Sequence, residues 1–144
     1  MKNIIISSLI LCLVLLFSAC YKESYWLDEN TTTEGKFFPN ITFNPLDSTS
    51  FTRGGSVRCN LEYWSKDKIK EIRIYDSVGT TARKVVATIP YAASYSAFKK
   101  SDTLIYFYAL PAGITAGTSI RLDAQAVNEN GLTKLSSRLT FSVK

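Results

Sequence analysis

The chain has 144 residues, 46% of them hydrophobic and 20% charged, with 17 Lys+Arg against 12 Asp+Glu and a formal net charge of +5. That length accommodates one domain around a single hydrophobic core. Histidine is absent, so a zinc site and a histidine-based catalytic triad are excluded by inventory. The basic residues are dispersed along the chain, which reads as solvated surface and not as a nucleic-acid face.

The first element is a leader. Lys2 forms a short basic n-region, residues 4–17 an apolar run, and Ser18-Ala19 the small pair that a signal peptidase accepts. A membrane-spanning helix needs about 20 apolar residues; this run is shorter and ends in small residues and a cysteine. Phe17-Ser18-Ala19-Cys20 resembles a bacterial lipobox, with Phe17 in a position that usually carries Leu. The resemblance implies diacylglycerol on the Cys20 sulfur, cleavage before Cys20, and acylation of its new amino group by a palmitate-type chain. The expected organisation is a lipoprotein signal peptide over residues 1–19, the lipidated Cys20 with a flexible linker over 20–36, and a domain over 37–144. Of the three cysteines, Cys12 would leave with the leader and Cys20 would carry lipid. Cys59 then remains alone, with no disulfide partner, and is expected to be buried as a small hydrophobe.

Residues 21–36 show no sustained apolar period, and the polar run from Asp28 to Lys36 reads as linker. A flexible coil of this length spans roughly 20–25 Å. Tyr25 and Trp26 suit either a membrane interface or packing beneath the domain. From Phe37 onward the period is two. Residues 37–43 read as an edge strand with Pro39 at its start. Residues 56–64 alternate cleanly, Val57, Cys59, Leu61 and Tyr63 on one face and Arg58, Asn60, Glu62 and Trp64 on the other. Residues 69–76 follow with Ile72 and Ile74 inward and Glu71, Arg73 and Tyr75 outward. Residues 85–89 are a β-branched run, and 102–110, dense in aromatics, is expected to bury both faces. Residues 119–128 place Ile120, Leu122, Ala124 and Ala126 inward. Asn128-Glu129-Asn130-Gly131 is a turn, and 138–144 closes the chain with Leu139, Phe141 and Val143 inward. The expected fold is all-β, a seven-stranded antiparallel β-sandwich in which two one-faced sheets hide their apolar sides against each other.

The last hairpin, from Ile120-Arg-Leu-Asp-Ala-Gln-Ala-Val through Asn128-Glu-Asn-Gly131 to Leu139-Thr-Phe-Ser-Val143, is similar to the last two strands of bacterial immunoglobulin-like or fibronectin-type-III-like domains. The resemblance implies an immunoglobulin-like sandwich in an extracytoplasmic setting. Joined to the lipobox, the layout resembles outer-membrane lipoproteins, including accessory lipoproteins of polysaccharide-utilisation systems. It implies a bacterial outer-membrane location, lipid-anchored, with the periplasmic and surface faces both open and the surface face favoured. In that topology the linker at Lys36 enters beside residues 65–68 and 128–134. Residues 47–55, 77–84 and 111–117 then form the opposite end.

Few residues carry candidate chemistry. Glu62, Asp67 and Glu71 are expected on adjacent strands, where they could cluster as an acid/base pair, but Lys66, Lys68, Lys70 and Arg73 interleave with them, so cross-strand ion pairing is expected in place of catalysis. Asp76, Asp102 and Asp123 lack the close spacing of a Ca²⁺ loop. Trp64 and Tyr75 point outward on strands expected to be sheet neighbours. They either stack sugar rings or lie beneath a crossover segment carrying Tyr91, Tyr95 and Phe98. Asp47-Ser48-Thr49, Asp76-Ser77-Val78 and Asp102-Thr103-Leu104 resemble O-glycosylation acceptors, although Asp-Ser turns account for such triplets too. The sequence thus points to a non-enzymatic, lipid-anchored binding or accessory module without cofactor or metal. Its partners are the membrane, through the anchor, and a glycan or envelope protein, and not nucleic acid. The alternative is a structural subunit that docks onto a larger envelope complex through a sheet edge.

Overall fold

The structure, a computed structural model, describes residues 27–47 and 50–144. The leader, Cys20, Tyr25, Trp26 and the Ser48-Thr49 pair lie outside the described residues. The chain divides at Lys36 into two units. In the first, residues 27–30 are helical, and residues 32–36 form a turn closed by Thr32 N–H to the Lys36 carbonyl at 2.8 Å and Gly35 N–H to the Thr32 carbonyl at 2.9 Å. Gly35 sits at φ 77°, a conformation that a residue without Cβ adopts freely. Within the stretch expected as linker, residues 27–36 thus hold a short helical segment and a hydrogen-bonded turn.

In the second unit the alternating pattern becomes strands. They are β1 (Asn40–Pro45), β2 (Ser50–Phe51), β3 (Ser56–Trp64), β4 (Ile69–Val78), β5 (Lys84–Pro90), β6 (Tyr95–Ser96), β7 (Ser101–Ala109), β8 (Ser119–Asn128), β9 (Thr133–Leu135) and β10 (Leu139–Val143). One sheet runs β1-β3-β7-β6 and the other β2-β10-β8-β4-β5, with β9 also on β8. Pairing is antiparallel except for the two-residue contact of β2 with β10. The fold is all-β with two sheets face to face. The seven expected strands all form, but three short segments, β2, β6 and β9, correct the count. The first strand also begins at Asn40, after Pro39, and not at Phe37.

The core is the set of residues that the period-two pattern turns inward. Val57, Cys59 and Leu61 from β3 and Ile74, Leu122 and Ala124 from β4 and β8 are fully buried, with Ile72, Phe141 and Val143 almost so. One polar contact crosses this core. The Tyr108 hydroxyl on β7 donates to Asp76 Oδ2 on β4 at 2.7 Å, joining one sheet to the other. Burial, then this bond, pushes the Tyr108 hydroxyl pKa well up. β7 does not bury both faces as expected. Tyr108 is inward and 4% exposed, whereas Ile105 and Phe107 are 44% and 60% exposed, because no layer covers that outer face among the described residues. At the entry of the unit, Phe37 N–H donates to Asp67 Oδ2 at 2.7 Å and the Phe37 carbonyl accepts from Asn128 Nδ2 at 3.0 Å. The domain thus starts beside the β3–β4 and β8–β9 turns, as expected.

Phe141 packs edge-on against Phe51 at 5.0 Å between centroids. Phe141→Ala is expected to lower the stability by about 3–5 kcal/mol in urea titration. Burial and the charge of Asp47 hold the Cys59 thiol up to about 12. A thiol reagent at neutral pH should label Cys59 only at the rate of unfolding, and rapid labelling of the native protein would disprove the register of β3.

Candidate functional site: an aromatic cleft and an arginine pocket

The chain changes sheet twice at one edge of the sandwich. From Trp64, the last residue of β3, residues 65–68 cross to β4; from β5, residues 91–94 return to β6. Between the two crossings lies an open cleft of about 520 Å³, lined by Trp64, Lys66, Asp67, Tyr91, Tyr95 and Asp102 among others. Trp64 is 39% and Tyr95 68% exposed. A second opening, of about 320 Å³, shares Trp64, Lys100 and Ser101 with the first and continues along β1. Trp64 and Lys100 thus stand between two adjoining depressions.

The walls are fixed by polar contacts. Ser65 Oγ accepts from Asn128 Nδ2 at 2.9 Å, and Asp67 Oδ2 accepts from Asn130 Nδ2 at 2.8 Å. Asp102 accepts from Ser94 N–H at 2.7 Å and from the Tyr91 hydroxyl at 3.0 Å. That bond, with burial behind it, raises the Tyr91 hydroxyl pKa and keeps it a donor. Tyr91 also meets Tyr63 edge-on at 6.3 Å, and the Tyr63 hydroxyl donates to the Ala92 carbonyl at 3.4 Å. Lys68 is paired with Glu129 at 2.7 Å, Lys99 with Glu62 at 2.9 Å, and the Lys66 ammonium lies 4.5 Å over the Phe37 ring. The buried Ser101 hydroxyl has no hydrogen-bond partner among the described residues.

Tyr75 lies elsewhere. β3 and β4 belong to different sheets, so the expectation that Trp64 and Tyr75 are sheet neighbours is corrected. Alternation told the face but not the sheet. The Tyr75 hydroxyl donates to Gln125 Oε1 at 2.7 Å, and the Arg83 guanidinium lies 3.3 Å over its ring. The crossover does not bury Trp64 either: Tyr91 and Tyr95 flank it across the cleft, and Phe98 is 90% exposed. The three acids separate as well. Glu62 pairs with Lys99, Asp67 holds backbone, and Glu71 pairs with Arg73. No acid–base pair assembles from them. No group of metal-ligating side chains occurs among the described residues. Within the second of the hydroxyl triplets, Ser77 is buried and donates to the Thr81 carbonyl at 2.7 Å.

Beside Tyr75, a smaller pocket of about 200 Å³ is lined by Ser77, Thr81, Arg83, Arg121, Asp123 and Arg138. Arg83 holds the buried Asp123 carboxylate through Nε and Nη2, which raises the already high Arg83 pKa. Sequence reading missed both this pocket and Asn128, since each collects residues from separate strands.

No family model and no curated protein matches the chain. Among solved structures it is similar to the pectate lyase PelI of Erwinia chrysanthemi, solved with tetragalacturonic acid, at 14% identity and a TM-score of 0.42. That match covers 70% of this chain and 28% of that one. It is also similar to a Niemann-Pick type C2 protein from Japanese carpenter ant, at 10% identity and a TM-score of 0.44, over 76% of this chain and 96% of that one.

The cleft carries one strained residue. Lys100 closes the β6–β7 turn at φ 54°, the left-handed region, with its N–H donating to the Ser96 carbonyl at 2.8 Å. Glycine adopts this geometry without a Cβ penalty. Lys100→Gly is expected to raise stability by about 1 kcal/mol in urea titration; a loss of stability would show that the lysine side chain itself holds the turn.

Proposed function

We propose that this is a lipid-anchored envelope protein whose single sandwich domain binds carbohydrate, without catalysis, in the Trp64 cleft. One observation carries the reading: Trp64, Tyr91 and Tyr95 converge on one open cleft whose rim is polar and charged. Sugar rings present apolar C–H faces and a hydroxyl edge, and such a cleft offers aromatic faces to the first and carboxylates, hydroxyls and ammonium groups to the second. Asp67 and Asp102 are already held by protein donors, which suits preset acceptors better than a titrating acid and base.

The immunoglobulin-like assignment belongs to the same proposal. The neighbour order β1-β3-β7-β6 corresponds to strands A, B, E and D of that fold, and β10-β8-β4-β5 to G, F, C and C′. The lipobox supports the anchor, and the resemblance of the whole layout to outer-membrane lipoproteins favours the surface face. Docking through a sheet edge fits less well. The outer strand β5 exposes Val85 and Val86, but its register shifts opposite Ile74/Tyr75 and it ends in Pro90, and both features oppose strand addition.

Two measurements test the proposal. In a glycan array followed by calorimetry on the full chain, Trp64→Ala should weaken binding by at least about tenfold, equivalent to about 1.4 kcal/mol, while Phe107→Ala on the same sheet leaves it unchanged. Absence of any glycan ligand, or equal loss from both variants, sinks the cleft reading. Separately, Cys20→Ser should abolish incorporation of labelled fatty acid, because serine offers no thiol for the lipid; persistent labelling would refute the anchor.

A further inference from the structure

The arginine pocket lies on the sheet opposite the Trp64 cleft, and its charges do not balance. Three guanidinium groups, from Arg83, Arg121 and Arg138, face one carboxylate, Asp123. A structural ion pair needs only one of them. Arg83 already supplies it, forked onto Asp123 and stacked on Tyr75. Arg138 Nε reaches Asp123 only at 4.0 Å, and Arg121 has no ion pair among the described residues. The pocket therefore holds a surplus of two positive charges.

The backbone builds this convergence. Arg121 and Asp123 share the outer face of β8, and Ser77 is opposite Arg121 on β4. Arg138 comes from the break between β9 and β10, which Ser136 fixes by donating its N–H to the Ala124 carbonyl at 2.8 Å and accepting the Ala124 N–H at 3.0 Å. Thr81 Oγ1 accepts from Val78 N–H at 2.9 Å, leaving its own O–H to donate. Arg83 cannot swing away from the pocket without losing both Asp123 and the Tyr75 ring. Forked guanidinium donors around a small polar hollow match tetrahedral oxyanions, which accept paired charge-assisted hydrogen bonds.

We propose that Arg83, Arg121 and Arg138 form an oxyanion site that takes a sulfate or phosphate group, with Arg83 preset by Asp123 and Tyr75 and with Thr81 donating a further hydrogen bond. The group is either a free ion or an ester on a sugar. This inference does not depend on the Trp64 cleft being a carbohydrate site.

The test is NMR titration of the full chain in detergent at low, constant ionic strength. The probes are inorganic sulfate, inorganic phosphate, glucose 6-sulfate and glucose 6-phosphate, with chloride as the control. Saturable shifts confined to the amides around Ser77, Thr81, Arg121, Asp123 and Arg138 are expected. Arg121→Ala should weaken them by about tenfold, as expected for one charge-assisted bond. Arg121→Lys should lie between, since it keeps the charge and loses the fork. Thermal melts establish that both variants remain folded, and Trp64→Ala should leave the titration unchanged. Saturation by the esters supports an ester site; saturation by the inorganic ions alone supports a free-ion site. Equal shifts with chloride, no saturation, or an unaltered curve in a folded Arg121→Ala, Arg138→Ala double variant would overturn the proposal.

Discussion

Everything in this domain follows from having two sheets that are each apolar on one side. β3 offers Val57, Cys59 and Leu61, fully buried, and β4 and β8 answer with Ile74, Leu122 and Ala124, equally buried. Neither face tolerates water, since each buried aliphatic side chain contributes about 1.5–3 kcal/mol relative to exposure. Closing the faces forces the chain to pass between sheets. It does so between β1 and β2, β2 and β3, β3 and β4, β5 and β6, and β7 and β8. The Tyr108–Asp76 bond adds direction to an otherwise non-directional core: a buried carboxylate is costly without a donor, Tyr108 is the donor that Asp76 Oδ2 meets at 2.7 Å, and Asp76 Oδ1 has none among the described residues, so sliding the sheets would cost Asp76 that bond.

The aromatic cleft is a by-product of that closure. Where the chain enters before β1 and where the β5–β6 crossing leaves the sheets, the backbone N–H groups of Phe37 and Ser94 have no ladder partner, so side chains satisfy them. Asp67 takes the Phe37 N–H and Asp102 the Ser94 N–H. Asp67 was read from sequence as part of an ion-paired surface and Asp102 as lacking the spacing of a Ca²⁺ loop, yet Asp67 ties the β3–β4 crossing to the entry at Phe37 and Asp102 holds the β5–β6 crossing. The same bonds fix the positions of Tyr91 and of the loop after Trp64, so the cleft's shape is set by the fold before any ligand arrives, which lowers the ordering cost of binding.

What the sequence made legible was the face of each residue, because period two is local. Val57, Cys59, Leu61, Ile72, Ile74, Leu122, Ala124, Phe141 and Val143 were all readable as core from alternation and all are buried. Sheet membership was not legible, because a strand's partner is decided by long-range packing. That is why Trp64 and Tyr75, both outward, part company onto opposite sheets. The short strands β2, β6 and β9 escaped for a related reason. Segments of two or three residues carry too little pattern to show a period and pair only because a longer strand is already beside them. Asn128 reads as the start of a turn, yet it is 1% exposed and ties Phe37 to Ser65. Nothing local distinguishes those two roles.

The charges teach the same lesson in reverse. Seventeen basic residues spread along the chain suggest an unfocused field. Strand pairing refocuses it. Register sets Asp76 against Lys84 and Asp123 against Tyr75, and the arginines at 83, 121 and 138 gather around one pocket. The lysines do not. Lys68 and Lys99 each meet a glutamate. Lysine's ammonium is strongly hydrated on a flexible stem, whereas guanidinium is planar, weakly hydrated and able to stack. The residue type that can bear partial desolvation therefore stands where Arg83 pairs with Asp123 and stacks on Tyr75, and the type that prefers water stands at the rim of the cleft.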